Sequence, residues 1–160
     1  MAKGGGNVDV KIDIDIKPVV RYLDGVFHRI NHQKPSFVYA RERLELANAR
    51  NFATNGLPVG GWAPLDPEYA AWKSVNFPGA GPMVQNGKLM KSLMNLNDRS
   101  ANSISDMNAE FGTSVEYAKF HQYGTSKMPK RQVVYVPVEF SHDLASKMAK
   151  YIVQQGYDFR

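Results

Sequence analysis

From Val8 to Lys17 the chain alternates strictly between apolar and polar residues. Val8, Val10, Ile12, Ile14 and Ile16 fall on one side, and Asp9, Lys11, Asp13, Asp15 and Lys17 on the other. A period of two predicts a half-buried strand with one wet face, as antiparallel sheets carry. Ahead of it, residues 1–7 are glycine-rich with no apolar surface to bury, which predicts a flexible leader to a single domain spanning 8–160. The period then changes. Pro18 suits the first position of a helix over Val19–Asn31, with Val20, Leu23, Val26, Phe27 and Ile30 forming its apolar stripe. Lys34-Pro35 breaks the chain, and Ser36 is the predicted N-cap of a second helix reaching about Thr54, with Gly56 as its stop. Phe37, Ala40, Leu44, Ala47 and Phe52 are its predicted inward positions, while Glu42, Arg43 and Arg50 mark a solvated face.

Two Gly/Pro-rich loops follow, Leu57–Leu65 and Asn76–Pro82, and both are natural contact arms in an assembly. Trp62 is the expected anchor of the first, plugging the core or a subunit contact. Between the loops, Asp66-Pro67 has the cap-then-proline form of a helix start, giving a short helix to about Val75. Leu89, Leu93 and Leu96, with Met90 and Met94, predict another. Ser103–Asp106 and Ala109–Phe111 read as a hairpin around Met107-Asn108. A short helical piece, Glu116–Tyr123, would close at Gly124, with Tyr117, Phe120 and Tyr123 on a buried aromatic face. A basic loop, Thr125–Arg131, leads into a predicted strand, Val133–Val136, which Pro137 ends. Ser141 would then cap a final helix with Leu144, Met148, Tyr151 and Ile152 on one face. The expected fold class is α+β. A small, mainly antiparallel sheet from the N-terminal strand, the hairpin and Val133–Val136 is packed by helices, with long Gly/Pro-rich loops between them.

Composition narrows the chemistry. The chain has 43% apolar residues, enough for a core, but no run approaching the roughly 20 residues that cross a bilayer, so no membrane partner is expected. The N-terminus carries no apolar signal core, and the absence of cysteine excludes disulfides and fits assembly in a reducing cytoplasm. Net charge is +5, from basic residues that are scattered, which permits nucleic-acid binding without indicating it. The aspartates at 9, 13 and 15 lack the glycine and glutamate of a calcium loop. His28 and His32 stand four apart without a third ligand, so no metal is expected. Gly87-Lys88 is followed by leucine, and Pro82 stands where a phosphate loop needs its first glycine. His121, near Glu116, is the one histidine in a setting that could support acid–base work, and packing against Tyr117 is the preferred reading. No catalytic residue and no cofactor are assigned.

Three segments in order carry a family resemblance: Trp62-Ala63-Pro64-Leu65 with Lys73; Gly87-Lys88-Leu89 with Ser92-Leu93; and Gly112-Thr113, Tyr117-Ala118, His121-Gln122, Gly124 and Pro129-x-Arg131. This order resembles the phage virion morphogenesis family, the tail-completion group of the Mu gene G product, similar to the lambda-type protein Z. Gln132 departs from it, since the family often has a second proline there. The resemblance implies a structural virion protein of the tail or neck, assembled in the host cytoplasm. It implies a homo-oligomeric ring, a hexamer by match to the tail's symmetry, between the tail tube protein and the head-connector or stopper proteins. DNA would meet such a ring only in passing through its lumen. Trp62, Lys127, Lys130 and Arg131 are the candidate interface residues. Arg131 is placed to form a bidentate pair with a carboxylate such as Asp66 or Glu68 of an adjacent subunit. The alternative reading is a nucleic-acid-binding protein using the basic loop 125–131.

Overall fold

The computed structural model describes residues 13–97 and 101–153. Its helices are α1 (Lys17–Asn31), α2 (Lys34–Ala53), α3 (Pro67–Asn76), α4 (Lys88–Met94), α5 (Ala118–Tyr123) and α6 (Phe140–Val153). A hairpin of β1 (Ser103–Ile104) and β2 (Ala109–Glu110) pairs Ser103 with Glu110 and Ile104 with Ala109. The fold is α+β as expected, with the predicted hairpin as its sheet. α2 is the central element and packs on both α4 and α6. Around it Phe52, Leu89, Leu93, Val115, Ala118 and Val133 form one buried cluster.

The other two predicted strands do not join that sheet. Of Val8–Lys17, residues 8–12 lie outside the described residues, as does the leader 1–7; Asp13–Ile16 is not a strand, and Lys17 opens α1. Pro18 fixes a helical φ there, and the Asp15 carboxylate accepts the Lys17 N–H at 3.0 Å, so the helix starts where alternation still runs.

Val133–Val136 is also not a strand, although Val133 is fully buried. A buried backbone must still pair its polar groups, and here side-chain amides replace a neighbouring strand. Gln122 Oε1 accepts from the Val133 and Val134 N–H groups, and Asn48 Oδ1 from Tyr135 N–H. Asn51 Nδ2 donates to the carbonyls of Gln132 and Val133. Asn48 and Asn51 share the inward face of α2 with Leu44, Ala47 and Phe52, and all five are buried.

Several helices differ in detail from the sequence expectation. Pro35 sits in the first turn of α2 and starts the helix instead of breaking the chain. Ser36 is therefore inside it, buried, donating to Gln33 Oε1 at 3.0 Å. α6 begins at Phe140, so Ser141 is not its cap. On α5 the buried residue is Ala118, and Tyr117, Phe120 and Tyr123 are exposed. The short helix needs only one apolar position inward, because Val115 just before it already fills the core. α1 has no buried residue at all, and its predicted stripe is largely in solvent.

Candidate docking groove

The two loops expected to be contact arms are each tied down within the chain. The first leaves α2 through Gly56, whose φ is +80°, and runs a short 3-10 turn over Leu57–Val59. A Cβ on Gly56 would come within 2.3 Å of the Trp62 ring, so only glycine lets the indole close over this turn. Trp62 then packs edge-on to Phe52, with ring centroids 5.3 Å apart, and donates from Nε1 to the Gln132 carbonyl at 2.8 Å. Directly after it, the carbonyls of Ala63 and Pro64 accept from Arg131 Nε and Nη2 at 2.7 and 2.6 Å. The second loop is held from α3. Asp66 caps that helix, accepting from the Glu68 and Tyr69 N–H groups, and Lys73 one face along reaches the Gly81 and Pro82 carbonyls at 2.7 and 2.9 Å.

The third part of the site is the turn out of α5. Gly124, at φ +75°, lets the chain reverse; a Cβ there would stand 2.9 Å from the Lys130 nitrogen. The reversal brings Arg131 back beside α5, where its N–H donates to the His121 carbonyl at 2.8 Å. From α4, the Ser92 hydroxyl meets the Thr113 hydroxyl at 2.7 Å and also donates to the Leu89 carbonyl. The ties therefore run between the three motif segments as well as within them.

Together these elements enclose an open groove of about 930 Å³. The first segment contributes Pro64, Leu65 and Lys73, the second Gly87 and Leu89, and the third Tyr117, His121, Pro129 and Arg131. Lys73 and Arg131 form its floor, only 4% and 5% exposed, and Lys88 and Lys127 are exposed at its rim. Neither floor cation has a carboxylate partner among the described residues. The ion pairs among the described residues, His32–Asp106 and Arg43–Asp143, lie elsewhere. Asp66, on the wall, is engaged in capping α3. Burial, and secondarily the charge of Arg131, lower the pKa of Lys73 from its ordinary 10.5. The same two causes in the same order lower His121, whose buried Nδ1 has no partner.

Of the four candidate interface residues, the groove brings together Lys127 and Arg131. Trp62 lies behind it as the anchor of the first loop, and Lys130 is exposed without lining it. Within its own chain the Arg131 guanidinium is held by two carbonyls, those of Ala63 and Pro64. Not among the candidate site residues of the sequence are Lys88 on the rim and the amide set of Asn48, Asn51 and Gln122 that holds the segment after Arg131, although Lys88 and Gln122 stand within the motif segments. The signal for the amides was polar residues at inward positions of a helix. Among the described residues no group of three or more histidine, aspartate or glutamate side chains could hold a metal, and no helix is long and apolar enough to cross a membrane. What the groove can do chemically is accept a polar or anionic segment over a cationic floor.

The model of the phage virion morphogenesis family matches residues 14–150. Comparison with curated proteins and with solved structures finds no match.

Proposed function

Because the chain belongs to the phage virion morphogenesis family, we propose that it is a tail-completion or neck component that forms a ring between the tail tube and the head-connector proteins. The observation that carries this reading is the meeting of three motif segments, far apart in sequence, in one groove. Their residues tie the loops of a single chain into a rigid rim around a cationic floor, as a docking site requires and an enzyme's nucleophile-and-base pair does not. The groove would receive a segment of a neighbouring ring subunit or of an adjoining tail or head protein. Six copies would match the six-fold tail, and such a ring needs heterologous contacts between two different patches of each subunit. The test is the mass of the purified chain in solution, together with electron micrographs of tails carrying it. A fixed ring at the head-proximal end of the tail supports the proposal. A chain absent from tails and monomeric at all concentrations refutes it.

The nucleic-acid reading loses Arg131, which is buried and bonded to carbonyls, so that of the loop's cations only Lys127 and Lys130 are exposed. Phosphate contacts would make binding fall steeply with salt. Assembly through the groove would follow protein concentration instead.

A further inference from the structure

α1 is turned inside out. Its half-buried positions include Tyr22, Gly25 and Arg29, on the side that packs on α6, where Arg29 Nε donates to the Ile152 carbonyl at 2.8 Å. The opposite side carries Ile16, Val20, Leu23, Phe27 and Ile30, which are 62%, 46%, 46%, 62% and 39% exposed. These positions step alternately by four and three, the spacing of the seam along which two helices pack side by side. Large apolar side chains scattered singly on a surface mean little, but a contiguous stripe marks a contact with something else.

We propose that this stripe pairs with the α1 helix of a second copy of the chain, antiparallel and centred near Val20. Charge selects that occupant and that direction. Lys17 and Asp24 are both exposed on the same edge of the stripe, two turns apart, and neither is in an ion pair among the described residues. A two-fold axis midway between them sets Lys17 of each copy against Asp24 of the other, twice. A parallel pair would put the same edge of the two helices on opposite sides of the seam, so that Lys17 and Asp24 could not meet across it. The same axis lays Ile16 of one copy near Leu23 of the other, with Val20 at the centre. Such an isologous contact closes on itself, so it needs neither the groove nor a ring and stands or falls separately from them.

The chain has no cysteine, so a single introduced thiol reports without background. Val20→Cys, oxidised at a concentration where the protein self-associates, should convert most of the chain to a disulfide-linked dimer, while Lys130→Cys should not. Leu23→Glu with Phe27→Glu should give a smaller mass by sedimentation with unchanged helical circular dichroism, since neither residue is buried in the chain. Lys17→Glu should weaken association, and adding Asp24→Lys should restore it. The proposal is overturned if Val20→Cys cross-links no better than the Lys130→Cys control, or if the double glutamate variant keeps the wild-type mass. Either result would mean that another segment of the chain or a different protein covers the stripe.

Discussion

Leu93 and Leu23 both lie on the apolar stripe of a helix, yet Leu93 on α4 is 1% exposed and Leu23 on α1 is 46% exposed. The difference is what stands opposite. α4 faces α2, and its end is fastened there as well, with Glu45 Oε1 accepting the Leu96 N–H and Asn48 Nδ2 donating to the Leu93 carbonyl. α1 packs on α6 with its less apolar side. Periodicity along a sequence measures amphipathicity; it does not say whether the covering surface belongs to the same chain. In a virion morphogenesis protein the distinction matters, because surface withheld from the chain's own core is available to its neighbours.

The sharpest way to break the comparison is to make the same substitution in both helices. Leu93→Ala should cost about 3–5 kcal/mol through lost burial and a cavity, whereas Leu23→Ala should fall within about 0.5 kcal/mol in the dissociated chain. Denaturant titration at low concentration reads both, and equal losses would show that α1 is part of the core. Next in size is Arg131→Met, which removes two charge-assisted bonds to the first loop and should cost about 2–4 kcal/mol. Its loop should also become the first site of proteolytic nicking. Arg131→Lys keeps the charge without the fork geometry, so it should recover only part of that stability; full recovery would mean that charge alone holds the loop.

Polar side chains divide in the same way. Asn48→Ala leaves the part-buried Tyr135 N–H without its acceptor and should cost about 1–3 kcal/mol. Asn31→Ala on α1 removes only an exposed bond to the Phe27 carbonyl and should be near neutral. Thermal melts of the pair settle whether the amide set does replace a strand. The smallest effect is on pH dependence. His121 in the folded chain lies below its ordinary value of 6.5 because of burial and then Arg131. As pH falls below 6.5 the unfolded chain takes up this proton first, so stability contributed by the neutral ring is lost across that window. His121→Gln should flatten the slope of Tm against pH there, and an unchanged slope would assign the acid loss to other groups.

Much of this molecule was legible in its sequence. The Asp66-Pro67 helix start, the leucines of α4, the hairpin around Met107-Asn108 and the anchoring by Trp62 all follow from local rules of capping, periodicity and turn chemistry. What was not legible depended on distant partners. Val133–Val136 has the composition of a strand, but its hydrogen bonds go to amides up to 87 residues away, which no local pattern encodes. Arg131 reads as the end of a basic loop and proves to be buried, because its guanidinium reaches back 68 residues to the Ala63 carbonyl. The exposed aromatic residues at α5 and the stripe of α1 depart from expectation for one reason: apolar spacing does not by itself imply burial within the chain.

The central claim is that the groove built by the three segments is an assembly surface, and its rim allows a direct test. Lys88 and Lys127 are exposed there and hold no tie of the fold through their side chains. Lys88→Glu with Lys127→Glu should therefore leave Tm unchanged while reversing the charge that faces an incoming segment. The measurement is the joining of heads to tails made without this protein, with wild-type or variant chain added back. The account predicts that the variant fails to restore joining at concentrations where wild type is saturating. Restoration to the wild-type level by a folded double variant would contradict it.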